Sequence, residues 1–137
     1  MKISTKGRYG LRAMVDLTEH QNEGAIPLRE ISERQKISIQ YLEQIFATLR
    51  KSDLVKSIRG VNGGYILNKS PEKITVGDII IVLEGPLAPV DCLIENECDL
   101  IDDCVTHNVW RKVQNSIEDV LDSITLQQLK EESEDMS

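Results

Sequence analysis

Apolar positions recur at helical spacing through the first fifty residues and then change period. From Thr5 to about Gln21, Leu11, Met14, Val15 and Thr18 form one stripe, and Asn22 with Gly24 can end the helix. Pro27 suits a first helical turn, and Leu28 and Ile31 face one way. Lys36-Ile37-Ser38 is a short break, with Ser38 placed to cap the next helix. In that helix Leu42, Ile45, Phe46 and Leu49 stand at i, i+3, i+4 and i+7. Residues 54–67, LVKSIRGVNGGYIL, then alternate, bend at Gly60, Gly63 and Gly64, and alternate again, which is the pattern of a β-hairpin.

Past the hairpin, Thr75 with Asp78 opens a short helix, stapled by Ile74 and Ile79 and closed by Gly85-Pro86. A long loop from about Leu87 to Val105 leads to a helix from about Thr106 to Ser123. On it Trp110, Val113, Ile117, Val120 and Ile124 are spaced 3, 4, 3, 4, a narrow heptad seam suited to a partner helix or to the chain's own core. Thr125 with Gln128 offers another capping box, and the acidic tail KEESEDMS reads as disordered.

Two short helices around a tight turn are either a plain helical hairpin or a helix-turn-helix. A β-hairpin directly after them favours the second, as its wing. The Gly-rich bend is not a phosphate-binding loop, since no Lys-Ser/Thr follows and a strand comes next. The expected fold is mainly α with a small β wing. It comprises a winged helix-turn-helix domain over 1–84, a ligand-binding loop over 85–105, a dimerisation helix over 106–124, and a short helix with a disordered tail over 125–137. The reading face would carry Gln40 and Gln44, able to pair with adenine edges, and Ser38, Tyr41 and Lys51. Glu43 is either a solvated acid or an acceptor from cytosine. Lys56 and Arg59 would bring the wing to phosphates or a narrow minor groove.

Charge strengthens this division. The formal net charge of −7 argues against nucleic acid, but it is unevenly spread. Residues 1–65 carry eleven Lys/Arg and seven Asp/Glu, a net of +4, whereas residues 66–137 carry five and sixteen, a net of −11. Hydrophobic content of 40% and 137 residues suffice for one cored domain, and no run is long enough to span a membrane. With no secretory pattern at MKISTKGRYG, the expected compartment is the cytoplasm, where thiols stay reduced. No nucleophile–base pair marks an enzyme.

All three cysteines fall in CLIENECDLIDDCVTH, residues 92–107, among or beside six acidic residues. On a helix, positions six apart are turned by ~240°; on a strand they are ~20 Å apart. Cys92, Cys98 and Cys104 meet only if the chain loops back twice around something bound. Cys104 and His107 are neighbours on one helical face. Three thiolates and an imidazole suit structural zinc or an iron–sulfur cluster, and the five-residue spacers are wider than those of usual zinc sites. An acid-rich, solvent-accessible site suits a sensor better than a protected electron carrier.

MKISTKGRYGLRAMVDL, YLEQIFATLRKSDLVKSIRGVNGGYIL and CVTHNVWRKV together resemble the iron–sulfur cluster regulators of the IscR type. These belong to a bacterial winged-helix superfamily that also holds cysteine-metabolism and nitric-oxide-responsive regulators. The likeness covers about residues 1–125. It implies a homodimeric transcription regulator, a repressor, that binds double-stranded DNA and carries a 2Fe–2S cluster on Cys92, Cys98, Cys104 and His107, supplied by the iron–sulfur assembly machinery. It also implies feedback on assembly genes, and DNA contacts from Tyr41, Gln44 and Arg59. His107 distinguishes this pattern from the nitric-oxide-responsive relatives, and the acidic spacers depart from Gly-rich or basic ones found in others. The competing expectations are a 4Fe–4S or zinc site, a redox or nitric-oxide sensor, an electron carrier, and a regulator governed by a bound enzyme.

Overall fold

The first helix is built to be approached closely. In a computed structural model describing residues 2–89 and 105–136, α1 (Thr5–Glu19) starts at Ser4. It buries Gly7, Gly10, Ala13, Met14, Leu17 and Thr18. Of the expected stripe, Met14 and Thr18 are buried but Leu11 and Val15 are only half-buried. The inward face begins with glycines because Glu84 and Leu83 lie against it: a Cβ on Gly10 would sit 2.1 Å from Leu83 Cδ1.

The helix-turn-helix follows from local chemistry. α2 (Leu28–Gln35) ends where Lys36 turns left-handed, at φ 59°, and donates its N–H to the Ser32 carbonyl. The Ser32 hydroxyl donates to the Ile37 carbonyl at 2.6 Å, closing the turn. Ser38 then caps α3 (Ile39–Lys51), accepting from the Tyr41 N–H at 3.2 Å. Leu42, Ile45, Phe46 and Leu49 are fully buried, as their spacing requires.

A buried carboxylate fixes this unit to α1. Asp16 is 1% exposed and accepts from Arg34 Nη2 at 2.7 Å, Arg34 Nε at 2.9 Å and Gln35 Nε2 at 2.9 Å. A buried charge is tolerable when paired and hydrogen-bonded in this forked geometry. The hydrogen bonds to Asp16, reinforced by its charge, hold the Arg34 guanidinium above its usual pKa.

The wing pairs β1 (Val55–Ile58) with β2 (Gly64–Leu67), antiparallel, Val55 opposite Leu67 and Ile58 opposite Gly64. A third element joins it that alternation could not reveal. Ile26 exchanges two backbone hydrogen bonds with Tyr65, each 2.9 Å. This close approach explains Gly64: at φ 151° its Cβ would lie 2.3 Å from the Ile26 carbonyl carbon. Tyr65 packs on Phe46 at 4.9 Å between ring centres, so the wing is braced by the core under α3.

α4 (Val76–Glu84) has the expected capping box, with both Thr75–Asp78 bonds at 3.0 Å, over fully buried Ile74 and Ile79. Its last residue reaches back to the chain start. Glu84 Oε1 accepts from the Ser4 N–H at 2.8 Å, the Gly7 N–H at 3.0 Å and the Ser4 hydroxyl, placing a carboxylate on the α1 N-terminus.

α5 (Val105–Asp122) and α6 (Leu126–Met136) complete the described chain. Between them the backbone runs beside the entry to α4, with Val76 N donating to Ile124 O at 2.8 Å and Leu126 N to Ile74 O at 2.9 Å. Two expectations are corrected here. Ile124, expected on the helix seam, lies past the helix end and is half-buried in this bridge. The tail expected to be disordered is helical to Met136. Its start is secured by reciprocal Thr125–Gln128 bonds of 2.9 and 3.2 Å and by fully buried Leu126. Gln127–Glu131 at 3.0 Å and Lys130–Glu134 at 3.9 Å add i, i+4 support.

Candidate functional site

The end of α3 and the wing meet at a groove that carries Arg50, Lys56 and Arg59. Gln40, Glu43, Gln44 and Lys51 are all exposed on α3, and Ser38 is exposed at its start. The Ser38 oxygen is engaged as the cap acceptor, which leaves its hydroxyl hydrogen to donate. Tyr41 is half-buried, its ring edge-on to Tyr9 of α1 at 6.0 Å. The Arg12 guanidinium lies 5.3 Å from the centre of the Tyr9 ring, and its Nε donates to Gln35 Oε1 at 3.3 Å. Thus α1 braces both the turn and the first residues of α3.

Lys56 and Arg59 are exposed on the wing, as expected from its sequence. A groove between the end of α3 and the wing is lined by Arg50, Asp53, Val55, Lys56, Ser57, Arg59 and Asn68. Helical spacing alone did not single out Arg50, which follows fully buried Leu49; the adjacent Arg50-Lys51 pair was the available signal. Lys6 was also missed. Its Nζ donates to Thr48 Oγ1 at 3.5 Å, adding a cation from α1 beside the α3 face. Tyr9 and Arg12 carry no sequence signal of their own, because their role depends on how α1 crosses α3.

Of the thiol–imidazole set, Cys92, Cys98 and Cys104 lie outside the described residues. His107 is within them, in the first turn of α5 and 3% exposed. Its Nε2 is 3.2 Å from Arg111 Nη2. Because a guanidinium only donates, that nitrogen carries a lone pair rather than a hydrogen. A buried imidazole whose Nε2 accepts is chemically able to ligate a metal, and with the three thiols that precede it in the sequence it makes up a donor set compatible with a 2Fe–2S cluster. Among the described residues alone, no group of three His, Cys, Asp or Glu side chains could hold a metal ion.

Much of the heptad seam is exposed. Trp110, Val113 and Val120 are 40%, 38% and 58% exposed, and Ile117 is half-buried. Val105 and Val109, which the narrow seam omitted, are also exposed and widen the apolar face. Such a face on a chain of this size marks an interaction surface. No helix among the described residues is long and apolar enough to cross a membrane.

Comparison with known proteins identifies the family. The Rrf2 family model, described as an iron-dependent transcriptional regulator, matches residues 3–132. The transcriptional regulator IscR of Pectobacterium carotovorum is 45% identical over 129 residues, 94% of this chain and 79% of its own. CymR of Bacillus subtilis is 46% identical over 129 residues, 94% of this chain and 89% of its own. The solved structure of T. potens IscR superposes with a TM-score of 0.84 at 50% identity, covering 100% of this chain and 91% of the other. The structure of CymR, the global cysteine regulator of B. subtilis, gives 0.82 at 43% identity, covering 96% and 97%.

Proposed function

The chain belongs to the Rrf2 family of winged-helix transcriptional regulators, and from that premise we propose that it is a homodimer whose DNA binding reports iron–sulfur status. Cys92, Cys98, Cys104 and His107 would hold a 2Fe–2S cluster received from the assembly machinery, and assembly genes would be the targets. When bound, the cluster supplies a group that can be oxidised or lost. The protein's own residues do the reading. Gln40 and Gln44 offer bidentate contacts to adenine; Glu43 accepts from cytosine and penalises other bases; Ser38, Tyr41, Lys51, Lys56 and Arg59 engage backbone or groove.

The observation that carries this reading is a Cys-x5-Cys-x5-Cys-x2-His run ending in buried His107, which opens the helix that bears the exposed seam. The ligand set and the dimer surface are therefore consecutive, so a change in one bears directly on the other. An electron carrier would leave the basic winged helix without work, and family membership sets that alternative aside. The comparable identity to CymR favours one competing reading, a regulator of cysteine metabolism that needs no cluster. Titrating one DNA duplex at fixed salt with loaded and stripped protein separates them. A changed affinity or site preference supports cluster sensing; identical curves support cluster-independent control.

The wing gives a second, independent test. Arg59→Ala should weaken DNA binding and flatten the plot of log affinity against log salt by roughly 0.9 if one phosphate contact is lost. An unchanged slope and affinity would remove Arg59 from the interface.

A further inference from the structure

Leu42, Ile45, Phe46 and Leu49 turn one side of α3 into the core, so Gln40, Gln44 and Lys51 form an outward row on the other. Thr48 and Arg50 stand on either side of that row, ~160° apart across it at the α-helical pitch. On the Thr48 flank lies α1. The Thr48 hydroxyl donates to the Gln44 carbonyl at 3.2 Å and accepts from Lys6 Nζ at 3.5 Å. An ammonium has three hydrogens, so two remain. On the other flank exposed Arg50 opens into the groove it shares with Lys56 and Arg59 of the wing, where Asp53 is the one acid in the lining. Glu43 is exposed on the same flank, nearer the start of α3. Neither Lys6 nor Arg50 belongs to an ion pair among the described residues.

We propose that Lys6 and Arg50 are phosphate contacts, one for each backbone bordering the DNA groove that α3 enters; this rests on the reading of α3 as the helix that lies in duplex DNA. A major groove ~12 Å wide is walled by the phosphates of both strands. A helix with its side chains is ~10–12 Å across, so residues on its two flanks face opposite strands. The wing follows α3 on the Arg50 flank and serves that strand. On the far flank the cation comes from α1: Lys6 is half-buried, its stem packed and its head held at Thr48. Asp53 and Glu43 oppose an anion on the Arg50 flank, but Arg50, Lys56 and Arg59 outnumber them. Complementing the α3 dipole would account for Arg50 in its last turn, but not for Lys6, which another helix supplies.

Phosphate contacts carry no sequence information, so a mixed-sequence duplex suffices as the probe. Its affinity for the full chain is measured across a range of salt. Lys6→Gln and Arg50→Gln should each flatten the plot of log affinity against log salt by roughly 0.9, and the double variant by roughly 1.8. Two further variants separate contact from bracing. Lys6→Arg keeps the charge and should keep the wild-type slope. Thr48→Val frees the ammonium without removing it, and should also keep the slope.

An unchanged slope in either Lys6→Gln or Arg50→Gln overturns the two-sided contact. So does a double variant no flatter than one single variant, since the two side chains would then share a phosphate. A Thr48→Val slope as flat as that of Lys6→Gln also overturns it, because Lys6 would then act by holding α3 in place. The underlying reading fails separately: a wild type that binds no duplex at any salt refutes α3 as a DNA helix, whereas binding insensitive to both residues refutes only the flanking contacts.

Discussion

A Cys98→Ala chain is expected to lose bound iron and sulfide outright while keeping its fold and its dimeric mass. The same holds for Cys92→Ala and Cys104→Ala. Two thiolates and one imidazole leave the cluster one ligand short, and the acidic spacers cannot close the loop unaided. The fold should not follow, because the buried core is assembled elsewhere. It consists of Ala13, Met14 and Leu17 of α1, Ile31 of α2, the buried stripe of α3, Val55 of the wing, Ile79 and Leu83 of α4, and Leu126 of α6. A site outside such a core changes stability by about 0.5 kcal/mol or less. Iron and sulfide assays, thermal unfolding and light scattering on the three variants check this together. Unfolded variants would instead make the metal structural, as in domains whose binding energy is their folding energy. His107→Ala should be milder, with a cluster assembled on three thiolates but shorter-lived.

The second large effect is expected at the seam. Val113→Glu combined with Val120→Glu should yield a folded monomer, since these side chains are 38% and 58% exposed in the single chain and fill no part of its own core. In a dimer they would face apolar partners, and paired carboxylates there would be both desolvated and mutually repelled. A twofold DNA site bound by two heads gains from their linkage, so the monomer should lose roughly 10²–10⁴-fold in affinity for such a site. Sedimentation of the free protein, followed by DNA titration at fixed salt, measures both parts. An unchanged dimeric mass would place the interface elsewhere.

How far the sequence disclosed this architecture depended on whether a signal was local. Ser38, Thr75 and Thr125 announce their helices because capping needs only a side chain and an N–H two or three residues on. The α3 stripe and the hairpin are equally self-contained. Signals that exist only between elements were missed. The inward face of α1 was read only in part, because Gly7 and Gly10 bring no apolar side chain to a stripe, yet the end of α4 needs them small. Ile26 joins the wing as a single residue, too short to alternate. The acidic tail looked unfoldable from its composition, but α6 is anchored by Leu126 and continues by helical propagation.

The candidate site divides along the same line. Residues on the face of one helix, such as Gln40 and Gln44, were legible from period alone. Tyr9, Arg12 and Lys6 entered only once α1 was seen crossing α3, and Arg50 only once the wing completed a groove with the end of α3. For His107 the sequence supplied its spacing from Cys104, and the structure added its burial and its Arg111 partner.

Elemental analysis of anaerobically purified protein, with its visible spectrum, decides whether the protein holds an iron–sulfur cluster. Iron and acid-labile sulfide are expected in near-equal amounts, about two of each per chain, with a red-brown absorption that bleaches on reduction. One zinc per chain and no colour, persisting through attempts at reconstitution, would contradict it and leave a winged-helix regulator with a structural metal.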